Sequence, residues 1–463
     1  MSTNNAKKLI NSTLILSIGT VLPKLSTFIL LPIYTTYLSK NDYGIYDLII
    51  TLMSFILPLI TLQIQQGSFR FLISESNEKE KCKIITNTLI FLICVLLGLL
   101  LISVVLFPLN KLYFTIILFY STQFVVEILS QITRGLGGNK VYSFTNVLMS
   151  IISSVLIVVS ILFYNGGIFS IIISIMISNI LGILLMINKM EILNYYSLTY
   201  KDRTMIKQLL RYSAPMVPNQ VSWWIVNVSD RLIITYFLGP TYNAVYSVAN
   251  KIPSIYNVFF NTFNLAWAEN ASITKDDETL NTKKYYNFIF NKLFVFLATI
   301  VILLIAFNKI IFLFLVNIKY IDALPLMPLL YICLFISSIG LFLGGIYVGE
   351  KDTKNVGKSS VLSALINILI NIIFVKSIGL YAAIFSTMIS YIFLSGFRMV
   401  DLYKRFGINL VSKKLIIISP FMLVSMILSL LDIRILHFVN MLLSIVIFII
   451  FNKQYFKYIL KKY

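Results

Sequence analysis

The chain has little charge, one histidine and few cysteines for its length of 463 residues. Only 12% of its residues are charged, whereas about a quarter are charged in a typical soluble globular domain. The single histidine, His437, cannot build a zinc site or a Ser/His/Asp constellation. The cysteines Cys82, Cys94 and Cys333 lack the spacing of metal ligands, and no disulfide is expected among them. These absences exclude an ordinary soluble enzyme and predict no metal and no cofactor.

What the sequence has instead is a long series of apolar segments, and 58% of the residues are hydrophobic. A helix needs roughly 20 apolar residues to cross the hydrocarbon core of a bilayer. The pattern therefore predicts an all-α integral membrane protein with about fourteen spanning helices, an even number that puts both termini on one side. The predicted spans are residues 9–34, 43–66, 84–107, 112–134, 141–164, 167–188, 213–238, 242–268, 286–308, 323–349, 357–376, 379–400, 415–431 and 435–452.

The lysines and arginines are concentrated in every second connector between these spans, and Arg398, near the end of the span 379–400, is counted with the connector that follows it. The other connectors hold only Lys40, Lys111, Lys309, Lys319, Lys376 and Arg434. Cytoplasmic loops of membrane proteins carry such an excess of lysine and arginine. The connectors rich in these residues and both termini are therefore predicted to be cytoplasmic. The net charge of +20 is spread over many short loops, which fits orientation and contact with anionic lipids rather than nucleic-acid binding.

An internal repeat is predicted at an offset of 200 positions. The turn from Tyr37-Leu38 to Ile45-Tyr46 corresponds to the turn from Phe237-Leu238 to Val245-Tyr246. Both copies begin on the same membrane side, which favours two six-helix lobes related by an axis along the membrane normal. We expect an N-terminal lobe over residues 1–190, a cytoplasmic connector over 191–208, a second lobe over 209–402, and two extra helices with a tail over 403–463.

Ionisable residues inside the predicted spans are the strongest candidates for function. A charge at the bilayer centre costs roughly 2.5–3.5 kcal/mol on insertion scales, so it usually faces a watery cavity or a partner. One interpretation is a cavity whose cations attract an anionic head group; the other is a set of buried ion pairs that fix helix packing. Lys292 could also extend to the membrane surface from its helix start. The candidate cavity cations are Lys24, Arg231, Lys251 and Lys292, and the candidate ion-coupling carboxylates are Glu127 and Asp230.

Two further polar or helix-breaking patterns lie in the second half of the chain. Pro215 and Pro218 are predicted to kink or break the start of the seventh span, as a hinge or as a static bend. Ser363, Asn367 and Asn371 recur every four residues, which predicts hydrogen bonds that hold neighbouring helices together.

Several motifs resemble the O-antigen and capsular polysaccharide flippases of the multidrug/oligosaccharidyl-lipid/polysaccharide exporter superfamily. The likeness covers nearly the whole chain and is most specific between Tyr212 and Trp267. The matching segments are Lys8-Leu-Ile-Asn-Ser-Thr, Tyr37-Leu-Ser-Lys-Asn-Asp-Tyr43-Gly44-Ile-Tyr46-Asp47, Tyr212-Ser-Ala-Pro-Met-Val-Pro-Asn219, Ser222-Trp223-Trp224, Asp230-Arg231-Leu-Ile-Ile, Tyr246-Ser-Val-Ala-Asn-Lys251-Ile, Asn264-Leu-Ala-Trp267, Asn367 and Gly379-Leu-Tyr-Ala-Ala383.

The resemblance implies a multi-pass protein of the bacterial cytoplasmic membrane with two six-helix lobes around a central cavity. It implies a substrate of undecaprenyl-pyrophosphate-linked oligosaccharide, turned from the inner to the outer leaflet by alternating access and coupled to an ion gradient. Lys24 and Arg231 fall where this family tends to place basic cavity residues. The implied partners are membrane lipids, a polysaccharide polymerase and a chain-length regulator.

Two alternatives are weighed against a flippase. A polysaccharide polymerase or ligase of the same pathway normally carries a large outer loop with catalytic residues, and the outer connectors here are short. A drug/cation antiporter of the same superfamily would favour acidic groups in its cavity, whereas the spans here hold more cations than carboxylates.

The charge bias gives a direct test of topology. A reporter enzyme fused after residue 40 should be extracytoplasmic, and the same reporter fused after residue 200 should be cytoplasmic. Alkaline phosphatase active only in the first fusion and green fluorescent protein fluorescent only in the second would meet this expectation. The reverse pattern would contradict the assignment of the lysine-rich side to the cytoplasm.

Overall fold

The computed structural model describes residues 19–106, 111–164, 166–276, 281–350, 352–431 and 433–462, and every regular element in these ranges is a helix. The start of the first predicted span, residues 9–18, lies outside them. Eleven helices in the described part are long and apolar enough to cross a membrane. The predicted all-α membrane fold is therefore confirmed, while the predicted number of fourteen spans is not.

The chain divides into two compact units, Met1–Trp224 and Ile225–Tyr463. The predicted connector, residues 191–208, packs on the first unit, and one long helix, α10, begins in the first unit and continues into the second. The helices of the first unit are α1 over 19–29, α2 over Leu31–Tyr37, α3 over Lys40–Thr61, α4 over Ile64–Ile73, α5 over Glu78–Leu106, α6 over Lys111–Gly135, α7 over Asn139–Tyr164, α8 over Ile168–Lys189 and α9 over Arg203–Ser213, and α10 follows over Val217–Leu238.

The helices of the second unit match the predicted spans closely at most boundaries. They are α11 over Pro240–Lys251, α12 over Ser254–Asp276, α13 over Thr282–Ala306, α14 over Asn308–Leu315, α15 over Met327–Gly349, α16 over Thr353–Ile378, α17 over Leu380–Phe406, α18 over Lys413–Leu430 and α19 over Arg434–Lys462. The eighth predicted span is interrupted at Ile252 and Pro253, because proline lacks the backbone donor that a continuous helix needs there. A 3₁₀ helix, Ile318–Leu326, precedes α15.

The apolar core of the first unit forms two clusters. One gathers α4, α5, α6 and α9 around Ile64, Ile85 and Leu209, and the other gathers α3, α6 and α8 around Phe119 and Ile172. The helices α3 and α4 are separated by Leu62 and Gln63, both in the left-handed conformation at φ 48° and 56°. This break ends the second predicted span five residues early and turns α4 into the first cluster.

The core of the second unit is rich in aromatic side chains. The Trp267 ring stacks on Phe342 with centroids 4.2 Å apart, and its indole nitrogen donates to the Phe342 carbonyl at 2.9 Å. Phe290 and Phe294 complete this cluster. Trp267 therefore packs within its own unit.

The connector is fastened to the start of α5 by two buried polar residues. The Thr86 hydroxyl donates to the Tyr195 carbonyl at 3.1 Å and accepts from the Ser197 amide at 3.2 Å. The Asn87 amide donates to the Tyr200 carbonyl at 2.9 Å and accepts from the backbone amide of Asp202 at 2.8 Å. The connector, which has only short 3₁₀ turns of its own, thus obtains hydrogen bonds from α5.

Replacing Asn87 tests this attachment. Asn87→Ala leaves the Tyr200 carbonyl and the Asp202 amide without their partner, at a cost of about 1–3 kcal/mol. We expect faster proteolysis between residues 190 and 202 while the protein still inserts in the membrane. Asn194→Ala is the matched control, because its amide is exposed and bonds to Glu191 within three residues of the chain. Equal protease sensitivity of wild type and Asn87→Ala would contradict the attachment.

Candidate functional site

Lys24 lies on α1, whose residues fall on three distinct faces. One face packs on α7, where the Ser150 hydroxyl donates to Ser26 Oγ at 2.8 Å. At 100° per residue, Thr20, Lys24 and Thr27 share a second face. The apolar residues Leu22, Leu25 and Ile29 are exposed on roughly the opposite side. The helix therefore presents a polar stripe and a separate apolar stripe.

The Lys24 side chain is exposed on the polar stripe. The ion pairs found among the described residues do not include Lys24. The cation is therefore not neutralised by a carboxylate in the described part of the chain. Of the two interpretations offered by the sequence, the buried ion pair does not describe Lys24.

Asp230, on α10, is the centre of a buried polar cluster in the second unit, and the residue is only 6% exposed. The Tyr246 hydroxyl of α11 donates to Oδ2 at 3.0 Å, and the Thr387 hydroxyl of α17 donates to the same oxygen at 2.8 Å. The Asn371 amide of α16 donates to Oδ1 at 2.8 Å. Three further helices thus converge on one carboxylate.

Asn367 completes the cluster one turn before Asn371. Its side-chain amide lies 3.0 Å from Thr387 Oγ1, and turning the amide brings its nitrogen 3.3 Å from Asp230 Oδ1. Ser363, at the other end of the stripe, donates to the Ser390 carbonyl at 2.8 Å. The stripe therefore joins α16 to α17 as predicted, and its last residue also binds Asp230.

The side chains that donate hydrogen bonds to Asp230 are all electrically neutral. Among the residues that the structure describes, no lysine or arginine forms an ion pair with this carboxylate. The Asn371 carbonyl oxygen is buried and has no hydrogen-bond partner. Carboxylate, amide, phenol and hydroxyl oxygens are the ligands that hard cations prefer. The cluster can therefore hold a proton or a small alkali cation beside Asp230.

Glu127, the other candidate carboxylate, is half-buried on α6 in the first unit. The Gln131 amide lies 3.4 Å from Glu127 Oε1, and Arg134 donates to Gln131 Oε1 at 3.0 Å. The Arg134 guanidinium sits 4.7 Å from the centre of the Phe69 ring. Arg134 is thus linked to Glu127 through Gln131 and compensates part of its charge. No such linked cation is found for Asp230 among the described residues.

The other three predicted cavity cations lie on three different helices. Arg231 is half-buried on α10, next to Asp230 in the chain, and Lys251 is half-buried at the end of α11, just before the break at Pro253. Lys292 lies on α13, with its ammonium 5.9 Å from the Phe288 ring centre, and lines a cavity with Lys413 and Lys414.

The two prolines of the seventh span lie at a helix junction. Pro215 is in a 3₁₀ turn, Ala214–Met216, and Pro218 is the second residue of α10. A proline is tolerated in the first turn of a helix, where its missing donor would be unpaired anyway. The predicted break at the start of this span is present, between α9 and α10.

Two buried ionisable residues were not predicted as such. Asp47, on α3, is 5% exposed. Arg398, which the sequence assigns to a cytoplasmic connector, is 3% exposed on α17. It donates to the carbonyls of Gly340 and Val356 and to two serine hydroxyls. Arg398 lies two residues before the end of the predicted span 379–400, and this position was the sequence signal that it could be buried.

A further tryptophan, Trp224, packs inside the first unit. Its indole nitrogen donates to the Thr51 carbonyl at 3.1 Å and to Ser54 Oγ at 2.9 Å. No group of three histidine, cysteine or acidic side chains that could hold a metal ion occurs in the described ranges.

The fold is that of membrane transporters and flippases. The chain is similar to the lipid II flippase MurJ in an inward closed conformation, with a TM-score of 0.73 and 17% identity, covering 96% of this chain and 100% of that one. It is also similar to an inward-facing multidrug resistance MATE family transporter of the MOP superfamily, with a TM-score of 0.66 and 16% identity, covering 86% of this chain and 98% of that one. An outward-facing multidrug resistance MATE family transporter gives a TM-score of 0.56 at 14% identity, covering 86% of this chain and 95% of the other.

The sequence matches the polysaccharide biosynthesis protein family over residues 9–268, more than half of the chain. The protein belongs to this family, as the motifs predicted. A comparison with curated protein sequences finds no match.

Proposed function

We propose that this protein is a flippase that moves undecaprenyl-pyrophosphate-linked oligosaccharide units from the inner to the outer leaflet of the bacterial cytoplasmic membrane. The units would build O-antigen, capsule or another surface polysaccharide. The observation that carries the proposal is the match to the polysaccharide biosynthesis family together with a MurJ-like fold over nearly the whole chain.

The physical problem of such a substrate is its head group. A pyrophosphate and a sugar chain bring charge and many hydroxyls, and burying these without partners in hydrocarbon is very costly. A watery cleft lined by cations and polar groups replaces their hydration while the polyprenyl tail stays in lipid. Alternating exposure of the cleft to the two sides of the membrane then completes the transfer.

Lys24 is the proposed first contact for the pyrophosphate. An exposed ammonium halfway along an apolar span is tolerated only where water or an anion reaches it. Its polar stripe, opposite the apolar one, supplies such a surface. Arg231 and Lys251 are the further cations proposed to attract the head group.

Asp230 is the proposed coupling site. Its carboxylate is buried and held by neutral donors, so a cation or a proton could join it without displacing a lysine or an arginine. Either ion would bind at the meeting point of α10, α11, α16 and α17. Glu127 is the second candidate, weaker because Arg134 is already connected to it through Gln131.

A drug/cation antiporter is the second candidate function. It is favoured by the Asp230 cluster and by the likeness to MATE transporters. Deletion of the gene would separate the two: a flippase loses surface polysaccharide and accumulates its lipid-linked units, whereas an antiporter loses drug tolerance with polysaccharide intact.

Lys24→Ala and Arg231→Ala test the proposed head-group contacts. Each removes a cation that binds the pyrophosphate, so we expect surface polysaccharide to fall by roughly tenfold or more, the effect of about 1.4 kcal/mol, while the protein stays inserted at wild-type abundance. Lys201→Ala, an exposed lysine on the connector, is the control and should leave polymer at its normal level. Wild-type polymer in both variants would refute the assignment of these two residues.

Asp230→Asn tests the proposed ion site, because it keeps the shape of the side chain and removes its charge. Purified wild-type protein should gain thermal stability with rising Na⁺ over a choline background, by about 2.7 kcal/mol at roughly 100 times the dissociation constant. Asp230→Asn should lose the response, and Glu127→Gln should keep it.

If protons are the ion instead, stabilisation should follow acidification and again be lost in Asp230→Asn. A wild-type protein insensitive to Na⁺ and to pH, or a response lost only in Glu127→Gln, would overturn the proposal for Asp230.

A further inference from the structure

Two adjoining cavities lie on the second unit, at the start of α13 and α18, and their linings share no residue with the Asp230 cluster. The first has a volume of 320 Å³ and the second 500 Å³, and they share Asn291. We call these two cavities the lysine groove. Its lining residues are Lys283, Lys284, Asn287, Phe288, Asn291, Lys292, Val295, Gly407, Asn409, Val411, Lys413, Lys414 and Phe451.

The lysine groove is strongly cationic. Five of its lining side chains are lysines, and none of the described residues that line it is acidic. The ion pairs found among the described residues include neither the Lys283–Lys284 pair nor the Lys413–Lys414 pair. The groove therefore gathers four lysines that form no ion pair with a described residue, although Lys283 also lines a neighbouring cavity together with Glu350.

Two helix starts add to this charge. Helix α13 begins Thr282-Lys283-Lys284 behind the cap Asn281, and α18 begins Lys413-Lys414 behind the cap Ser412. Neither first turn contains an acidic residue. The start of a helix carries partial positive charge, so a lysine pair there is mildly unfavourable and a bound anion would offset it.

The groove is held in shape by side-chain amides rather than by the lysines. Asn287 donates to the Asn409 carbonyl at 2.9 Å, and Asn291 donates to the Val411 carbonyl at 3.2 Å. These bonds fix the segment 407–412 against α13. The lysine pairs are consequently not needed to close the structure and are available to a ligand.

The groove also has an apolar side. Val295, Val411 and Phe451 line its first cavity, and Val411 and Phe288 are 49% and 57% exposed. Helices α13, α18 and α19 are all apolar enough to span a membrane. Lysines at the ends of such helices lie at the level of lipid head groups, with apolar walls beneath them.

We propose that the lysine groove binds the phosphodiester head group of an anionic phospholipid, with an acyl chain along Val295 and Phe451. By the charge bias of the connectors, this lipid comes from the cytoplasmic leaflet. The proposal does not depend on the transported substrate, because lipid binding is measurable without it. A free phosphate anion shares the head-group chemistry but lacks the acyl chain.

The test is lipid binding by the purified full-length protein in neutral detergent, measured by native mass spectrometry with phosphatidylglycerol and with phosphatidylcholine. We expect clear preference for phosphatidylglycerol in the wild type. The double variant Lys413→Gln/Lys414→Gln should bind it on the order of 10-fold more weakly. Lys201→Gln/Lys207→Gln, an equal loss of exposed charge in the first unit, should bind within about twofold of wild type.

Two further variants distinguish loss of the binding site from misfolding of the protein. Lys413→Arg/Lys414→Arg keeps the charge and should keep the binding, and Lys283→Gln/Lys284→Gln should weaken it from the other wall of the groove. Equal loss in the Lys201/Lys207 control would show a general charge effect and overturn the site. Equal binding of phosphatidylcholine would overturn it too. Glycerol phosphate competing as well as phosphatidylglycerol would overturn the lipid as occupant in favour of a small anion.

Discussion

Hydrocarbon solvates no charge, and each ionisable group at the depth of an apolar span must therefore find water, a polar partner or an ion. The protein uses different solutions at different places. Arg398 is buried and surrounded by carbonyls and hydroxyls, so its charge is spread over neutral acceptors. Lys24 is exposed on the polar stripe of α1 and forms no ion pair with a carboxylate that the structure describes. Asp230 is buried and accepts hydrogen bonds from the neutral side chains of Tyr246, Thr387 and Asn371.

The helices were predictable because the same constraint acts locally along the sequence. A span must be a continuous apolar run, so α7 and α8 begin and end within two residues of their predicted limits. Where the backbone departs from a straight helix, the signal is weaker. Pro253 is a sequence signal for the break between α11 and α12. The break between α3 and α4 has no such signal, because its left-handed residues, Leu62 and Gln63, are neither glycine nor proline.

The Asp230 cluster could be predicted only in part. The carboxylate itself was conspicuous in an apolar run, and the four-residue spacing of Asn367 and Asn371 predicted hydrogen bonds between helices. The sequence did not reveal that the carboxylate and the asparagine stripe form one cluster, because Asn371 and Thr387 follow Asp230 by more than a hundred residues. Arg398 was misassigned for a related reason: a cation near the end of a span looks like a loop charge unless its partners on α15 and α16 are known.

The position of Asp230 also bears on how an ion could drive transport. An ion shifts a conformational equilibrium only by the difference in its affinity for the two states. For an ion at the proposed Asp230 site, such a difference would arise if α10 tilts, because the hydrogen-bond partners of Asp230 lie on α11, α16 and α17. Asp230 lies twelve residues beyond Pro218, about 18 Å along α10 at about 1.5 Å per residue. The proposed ion site and the candidate hinge Pro218 therefore lie on the same helix, and a tilt of α10 would move Asp230 relative to its hydrogen-bond partners on α11, α16 and α17.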